Sequence, residues 1–543
     1  MGEAELEELL DQLTADIRET VVAETESHAP PKWMPAEYTR YYVEQAIKMY
    51  EEEGLEATAA FYSTPESVDG QWYMFIADEN ETMVGHGITE LVGKNVHDIF
   101  GSNGYPSGTV SYTVASEQGS WFDHTFLNRA TGQVETKHSW VVRYDGIMFG
   151  SGWYEPGPSR TDGPAYTRAL VQQSINLYNA LGREDTADYY NSKASVDGPW
   201  YIFIIDEDEN FLAHGANPAY AGQHVSQAVG PNGFPAGVAV AASAKPEGAW
   251  FDYTFLNPAT GAAETKHSWM VVHDGLTFGT GWYEDGPRKT DGPAYTKAYV
   301  QQAINLYNAV GLEGTLAYYN SPESVDGQWY LFVGDTESSS LIGHGVNPGQ
   351  IGTHSSEITG PLGYPAGSAI AALADEDGAW FDYTFTNPAT GGVETKHSWM
   401  VIRDGILFGS GWYEEGPSKA DVEAFTQSFV RQALNLYDAV GLDDTIAYYN
   451  TRESVDGQWY AFIVDAETGV TIGHHNPNLR DRDPSLRVDA TGYFYGDDLL
   501  AATESGSWSS YVIINPGTGQ EQRKHTFAVL HDGYIFASGW YEQ

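Results

Sequence analysis

The stretch VETKHSWMVIRDGILFGSGWYE, residues 393–414, predicts two neighbouring β-strands. Aromatic and β-branched residues favour strands, and the Asp404-Gly405 pair between the two halves is typical of a tight hairpin turn. Upstream, GAWFDYTFTNP from Gly378 predicts a third strand, and the polar NPATGG segment from Asn387 joins it to the second. We therefore expect a three-stranded antiparallel meander.

A helix and a hairpin precede this meander. Apolar residues recur at helical spacing from Tyr295 to Gly311, a glycine suited to ending the helix, and a short second helical turn is expected to end at Asn320. The segments WYLFVGD from Trp329 and LIGHG ending at Gly345 predict a β-hairpin. The Gly- and Pro-rich residues 346–366 are predicted to form an irregular loop over the sheet, and such loops are often functional.

This unit occurs four times. Its SVDGxWY phrase carries an aspartate at positions 69, 197, 326 and 456, and offsets of 128, 129 and 130 residues are too long for a solenoid repeat. Each unit is therefore expected to be a whole domain. We place unit 1 at residues 38–155, unit 2 at 156–284, unit 3 at 285–414 and unit 4 at 415–543. Residues 1–37 are predicted to be an N-terminal helical extension, whose amphipathic pattern includes Leu6, Leu9, Leu10 and Leu13.

Composition excludes several classes of function. The 543 residues include 75 acidic and 27 basic side chains, a net charge of −48 that repels nucleic acid and anionic lipid surfaces. Cysteine is absent, which excludes thiolate catalysis and disulfides. No run approaches 18 apolar residues and the start MGEAELEELLDQ does not resemble a signal peptide, so we expect a soluble chain without a membrane span. No catalytic motif is present, and we predict that the protein is not an enzyme.

In their order, these motifs resemble the single Cache domain of the second type: a long helix, a WYxF strand followed by GHG, a Gly-rich middle, WFDYTF, and NPxTGxxETKHSW before a last strand. The resemblance implies an α+β fold of four tandem PAS/Cache-like domains, each with a long N-terminal helix packed on a curved antiparallel sheet. It also implies an extracellular or periplasmic sensor module that encloses a small ligand, a carboxylate or an amino-acid-like compound.

Output machinery is not recognisable in the sequence, which has no coiled-coil, kinase or cyclase segment. We therefore expect a ligand-binding protein that acts through a partner such as a membrane receptor. The alternative is a structural or adhesive surface protein, a filament or matrix subunit that self-assembles and whose pockets are filled with side chains. One histidine per unit, as at His86, His214, His344 and His474, is weak support for a metal, and we predict neither metal nor cofactor.

A lysine precedes histidine in the penultimate strand of every unit. A buried ammonium group is costly without an anionic partner, and the resemblance implies that a basic residue here holds an anionic ligand. Because alternate residues of a strand share a face, Lys396 and Ser398 are expected to face the pocket and His397 the helix. The alternative is a lysine that points outward to Asp or Glu. The predicted ligand-binding residues are Tyr73, Lys137, Ser139, Tyr201, Lys266, Ser268, Tyr330, Lys396, Ser398, Tyr460 and Lys524, with Trp121, Asp123, Trp250, Asp252, Trp380 and Asp382 as secondary candidates.

The fourth unit diverges from the others. WFDYTF becomes WSSYVI from Trp508, and the middle loop gains Arg480, Arg482 and Arg487. Two interpretations remain open: this unit binds a more anionic ligand, or it has lost binding and serves as a terminal cap of the array.

Overall fold

The computed structural model describes residues 29–101 and 104–542, so the helix predicted around Leu6 to Leu13 lies outside the described residues. Unit 1 contains α1 (Pro35–Tyr62), β1 (Phe75–Ala77), β2 (Met83–His86), α2 (Ser107–Val114), β3 (Ser120–Asn128), β4 (Gln133–Tyr144) and β5 (Ile147–Glu155). Unit 2 contains α3 (Gly163–Leu181), α4 (Arg183–Tyr190), β6 (Phe203–Ile205), β7 (Phe211–His214), α5 (Ala236–Ser243), β8 (Ala249–Leu256), β9 (Ala263–His273) and β10 (Leu276–Glu284).

The second half of the chain repeats this order. Unit 3 contains α6 (Gly292–Tyr319), β11 (Phe332–Asp335), β12 (Ser340–His344), α7 (Ala366–Leu373), β13 (Ala379–Thr386), β14 (Val393–Arg403) and β15 (Ile406–Glu414). Unit 4 contains α8 (Val422–Tyr449), β16 (Phe462–Asp465), β17 (Thr471–His474), α9 (Gly496–Leu500), β18 (Ser507–Ile514), β19 (Glu521–His531) and β20 (Tyr534–Tyr541). Within the described residues, no helix combines the length and the apolar character needed to cross a membrane.

Each unit builds one five-stranded antiparallel sheet, in the order β12-β11-β15-β14-β13 for unit 3. The predicted hairpin and meander are therefore confirmed, and the first hairpin strand pairs with the last meander strand. Register places Lys396 opposite Tyr383 on one side and Tyr413 on the other. Directly opposed residues point to the same face of a sheet, so these three side chains share a face.

The long helix of unit 3 changes direction at Gly311 and continues to Tyr319. Gly311 has φ 72°, a left-handed conformation that residues with a Cβ rarely adopt. This agrees with the predicted helix end followed by a short second segment. Helix α7 was not predicted, because its small residues Ala, Gly and Ser are also typical of loops.

The repeated SVDGxWY phrase fastens the helix to the hairpin. In unit 3 the Asp326 carboxylate accepts a hydrogen bond from the Tyr295 hydroxyl and pairs with Lys289. The indole N–H of Trp329 donates to Thr296 Oγ1 at 2.9 Å, and both groups are buried. The equivalent Trp–Thr bonds measure 2.8, 3.0 and 2.9 Å in units 1, 2 and 4. The phrase therefore has a structural role.

Each internal helix packs between two units. One side of α6 lies on its own sheet at β14 and β15, and the other side contacts α5 and β8 of unit 2. Val300, Ile304 and Leu306 of α6 are buried in one apolar cluster together with residues of both sheets. Polar contacts add to this packing, because Gln302 Oε1 accepts from the Thr254 hydroxyl at 2.9 Å.

The junction between units 3 and 4 has the same construction. Asn435 of α8 donates to the carbonyl of Asp382 at 3.0 Å, as Asn305 of α6 does to Asp252 at 3.0 Å. Another apolar cluster joins Val171 and Leu177 of α3 to the sheets of units 1 and 2, and a further one includes Val430 and Leu436 of α8 with residues of units 3 and 4. Each of these three helices therefore contributes to the cores of two successive units.

Truncating Leu306, which is fully buried, tests this shared packing. We expect Leu306→Ala to lower the free energy of unfolding by about 2–5 kcal/mol, the usual cost of a leucine-sized core cavity. Differential scanning calorimetry should show the transitions of units 2 and 3 shifting together. Asn308→Ala, at an exposed position of the same helix, serves as the control and should change stability by less than about 0.5 kcal/mol. A shift confined to one transition would contradict the shared core.

Candidate functional site

A buried lysine lies at the centre of every sheet. Its side chain is 1–3% exposed in each unit, and its ammonium group donates to the hydroxyl of the tyrosine in the SVDGxWY phrase. The Nζ–Oη distances are 2.8 Å for Lys137–Tyr73, 2.7 Å for Lys266–Tyr201, 2.8 Å for Lys396–Tyr330 and 2.7 Å for Lys524–Tyr460. The lysine and tyrosine that the sequence analysis singled out thus contact each other in all four units.

Aromatic rings surround the lysine in unit 3. Lys396 Nζ lies 4.1 Å from the ring centre of Tyr330, 5.0 Å from that of Phe332 and 5.4 Å from that of Tyr413. The π faces of these rings attract a cation, but they replace only part of the hydration that the ammonium group loses. Burial accordingly lowers the pKa of Lys396 from 10.5 to about 7. Burial has the same effect on Lys137 and Lys524, whose pKa values fall to about 7, and lowers the pKa of Lys266 well below its ordinary value.

The ion pairs among the described residues do not include any of these four lysines. The outward orientation toward Asp or Glu, weighed as the alternative, therefore does not occur. A protonated lysine in this environment has a tyrosine hydroxyl as its neutral partner and lacks a counter-charge. An anion that entered the same space would supply it.

Unit 3 contains a cavity of about 130 Å³ beside the lysine. We call it the unit 3 cavity. Its walls are formed by the sheet face that carries Lys396, by the hairpin and by α7. Among its lining residues are Tyr330, Phe332, Ser339, Ser340, Leu341, His344, Gln350, Ser355, Ile358, Tyr383, Phe385 and Lys396. Aromatic walls with a few polar groups are typical of sites for small organic ligands.

His344 adds a neutral donor to this cavity. Its Nδ1 accepts the backbone N–H of Asn347 at 2.9 Å, so the ring proton resides on Nε2. Burial first, and then the nearby Lys396 charge, lower the pKa of His344 to about 4. The ring also lies 4.9 Å from that of Tyr330. His344 therefore stays uncharged at neutral pH and offers a hydrogen-bond donor.

Unit 2 has the same lysine but little space beside it, with a cavity of about 20 Å³. The difference follows from side-chain volume at equivalent positions. Unit 2 carries Ile205, Phe211 and Tyr220 where unit 3 carries Gly334, Leu341 and Gln350. Phe211 and Tyr220 stack on each other with ring centres 5.5 Å apart, and Phe211 also contacts His214. The units are therefore not equivalent as binding sites.

The predicted serines lie on the lysine side of the sheet. Ser139, Ser268 and Ser398 are fully buried. The Ser398 hydroxyl lies 3.2 Å from that of Tyr383, which itself lines the cavity. Ser398 therefore supports a cavity-lining tyrosine. Tyr330 precedes the first residue of β11 and still faces the same cavity as Phe332.

The secondary candidates occupy the opposite face, which corrects their proposed role. Asp382 hydrogen-bonds His397 at 2.7 Å, and Trp380 packs on Trp399 with ring centres 5.1 Å apart. Units 1 and 2 repeat this pairing for Asp123, Trp121, Asp252 and Trp250. The alternation applied to β14 also applies to β13, where Phe381 and Tyr383 share the face of Lys396 and Tyr383 lines the cavity.

Sequence reasoning missed several lining residues, among them Tyr383, Phe385, Gln350 and Ser355. The pairing of Tyr383 with Lys396 across β13 and β14 was the available signal, because directly opposed residues share a face. Gln350 and Ser355 lie in the irregular middle segment, where no periodicity indicates the direction of a side chain.

Wider clefts open at the junctions, with volumes of about 480 Å³ between units 2 and 3 and about 360 Å³ between units 3 and 4. Lys289 and Lys419 line these clefts, where they are half exposed and pair with Asp326 and Asp456. The lysine of the unit 3 cavity is buried and has no ion-pair partner among the described residues, so this cavity is the stronger candidate site.

The unusual pKa of Lys396 predicts a pH-dependent stability. The pKa of Lys396 is about 7 in the folded protein and 10.5 in the unfolded chain. Between these two pH values unfolding takes up a proton, so the contribution of Lys396 to stability rises with pH in this range. Below pH 7 both states are protonated and the full cost of the buried charge is present. We expect Lys396→Met to raise the free energy of unfolding by roughly 1–4 kcal/mol below pH 7 and by less toward pH 10. Urea unfolding of both proteins at several pH values measures this, with Lys193→Met at an exposed site as control. A difference that does not vary with pH would contradict the low pKa.

Family comparison agrees with the sequence motifs for the first half of the chain. Residues 43–153 and 168–284 match the model of the single Cache domain 2. No curated protein matches the sequence.

Solved sensor domains are also similar in part. A Cache chemosensory domain described for carboxylic acid recognition is 22% identical, with 22% of this chain and 92% of that chain covered and a TM-score of 0.19. The sensor domain of the V. cholerae histidine kinase DctB is 11% identical, with 52% of this chain and 98% of that chain covered and a TM-score of 0.18. The ligand-binding domain of the Pseudomonas fluorescens chemoreceptor CtaA, in complex with L-alanine, is 12% identical, with 51% and 98% covered and a TM-score of 0.18. Identities of 11–22% and TM-scores below 0.2 assign no ligand to this chain.

Proposed function

We propose that the protein is an extracytoplasmic small-molecule-binding protein of four Cache-like modules, and that unit 3 binds a small organic anion such as a carboxylate or an amino-acid-like compound. The observation that carries the proposal is the unit 3 cavity of about 130 Å³ beside a buried lysine. The family match of units 1 and 2 supports it, as does the common sheet order of all four units.

The chemistry of the cavity favours an anionic group at one end of the ligand. Lys396 supplies a cation, Tyr330 orients it through its hydroxyl, and neutral His344 supplies a donor. Phe332 and Phe385 supply apolar walls for a short carbon skeleton. Gln350 and the serines of the hairpin can hydrogen-bond further polar groups of the ligand.

The small cavity of unit 2 favours a structural role for this unit instead of ligand binding. Its cavity of about 20 Å³ is filled by aromatic side chains, as in the structural alternative raised from the sequence. Unit 2 then acts as a spacer that holds unit 3 through the shared helix α6. A partner such as a membrane receptor would read the bound state of the array.

Titration with small carboxylates and amino acids tests the binding role of unit 3. We expect a ligand to raise the melting temperature, and Lys396→Met to reduce its affinity at least tenfold. Lys266→Met, the equivalent change in the filled unit 2, is the matched control and should leave affinity unchanged. Because an anion pairs only with the protonated lysine, affinity should fall above about pH 7, approaching tenfold per pH unit. Binding that survives Lys396→Met would refute this site.

Filling the cavity provides an independent steric test. Leu341→Phe copies the residue of unit 2 into unit 3 and should abolish ligand binding without loss of folding, because Phe211 is accommodated at the equivalent position. Isothermal titration calorimetry measures the affinity, and thermal unfolding checks the fold. Full affinity in a folded Leu341→Phe protein would exclude the unit 3 cavity as the binding site.

A further inference from the structure

Unit 4 brings a second buried cation to its lysine. Among the residues that line its cavity of about 70 Å³, which we call the unit 4 cavity, are Lys524, Arg487, Thr471, Asp483 and the exposed Arg482. Arg487 is only 8% exposed, although arginine is rarely buried without a partner. The unit 3 cavity is lined by one cationic side chain, Lys396, by neutral His344 and by the acidic side chain of Asp335.

The Arg487 guanidinium is incompletely paired. One terminal nitrogen, Nη2, donates to Thr471 Oγ1 at 2.7 Å, whereas Nη1 is buried and makes no hydrogen bond. The ion pairs within the described residues do not involve Arg487, and Asp489 two residues on uses its carboxylate for the backbone N–H groups of Thr491, Tyr493 and Val512. Burial lowers the pKa of Arg487, which nonetheless remains a cation at neutral pH.

Arg487 and Lys524 are both buried beside the same cavity, so balancing their charges takes a more negative partner than balancing the single lysine of unit 3. Asp483 is the acidic residue of the lining, but it is exposed and its carboxylate caps a local turn through the Ser485 N–H. A guanidinium group offers paired N–H donors that match the oxygens of a carboxylate or phosphate, and an ammonium group offers a point charge for a second anionic group. Thr471 can add a hydroxyl contact beside the guanidinium.

We propose that the unit 4 cavity binds a small dianion, a dicarboxylate or a phosphate-type oxyanion, held jointly by Arg487 and Lys524. This extends the proposed function, on which it rests, by giving units 3 and 4 ligands of different charge. One array then reports on two classes of anion.

Terminal capping, the other interpretation of unit 4, is compatible with this site. In unit 2 the N–H of Thr254 in edge strand β8 lies 3.3 Å from the side-chain oxygen of Gln302, which belongs to the next helix. At the equivalent position in unit 4, the Val512 N–H donates to Asp489 at 2.9 Å. The loop of unit 4 therefore makes the contact that the next helix makes in unit 2, while its Arg487 lines the cavity.

Calorimetric titration of the full chain carrying Lys396→Met isolates unit 4 from the unit 3 site. At constant ionic strength and pH 7, succinate and inorganic phosphate serve as dianion probes and acetate as the monoanion probe. We expect succinate, phosphate or both to bind at least tenfold more tightly than acetate. Binding of succinate alone identifies a dicarboxylate site, and binding of phosphate alone identifies an oxyanion site.

Arg487→Gln, added to this background, should weaken dianion binding at least tenfold, and Arg487→Lys should restore part of it. Arg523→Gln removes the same charge from an exposed position of β19, the strand that carries Lys524, and should have no effect on dianion binding. Thermal unfolding verifies that each variant folds. Absence of dianion binding, equal binding of acetate, or dianion binding that Arg487→Gln leaves unchanged would overturn the proposal. The proposed function of unit 3 is tested separately in the chain that retains Lys396. It fails if that chain binds no monoanion, or binds one as tightly as the Lys396→Met protein does.

Discussion

Burial of a helix on two sides is the constraint on which the remaining structure depends. The helices α3, α6 and α8 each pack against the sheet of their own unit and against the α-helix and sheet of the preceding unit. A helix in this position needs apolar residues around most of its circumference, in contrast to a surface helix with one apolar stripe. The hydrogen bonds of Gln302, Asn305 and Asn435 satisfy backbone groups at the rim of these contacts. Neighbouring units are therefore joined by core packing as well as by their linkers.

Much of the fold was predictable because it depends on short-range patterns. Alternation along β14, turn residues such as Asp404-Gly405, and the glycine at position 311 led to correct strands, turns and a helix break. The shared helices were not predicted, since nothing within one unit specifies what covers its second face. Alternation also placed Lys396 on the cavity side, while Asp382 and Trp380 were misassigned because the same rule was not carried to β13.

The size of each cavity could not be predicted, because it depends on a few side-chain volumes far apart in sequence. Glycine at position 334 and leucine at position 341 leave space in unit 3, whereas isoleucine and phenylalanine fill it in unit 2. The lysine itself is common to both. In a filled unit its desolvation is an uncompensated cost to folding, and in an open unit a ligand can offset that cost. The same residue therefore has different consequences in neighbouring units.

The position of α7 has a consequence for communication along the chain. This short helix forms one wall of the unit 3 cavity and packs on α8, the helix that supports the sheet of unit 4. If a ligand in the unit 3 cavity favours one arrangement of α7 and thereby changes the affinity of unit 4 for its ligand, the ligand of unit 4 must change the affinity of unit 3 by the same factor. Because the helix packing described above joins consecutive units, such linkage would be strongest between adjacent sites and would weaken with every additional unit, as in a one-dimensional nearest-neighbour system.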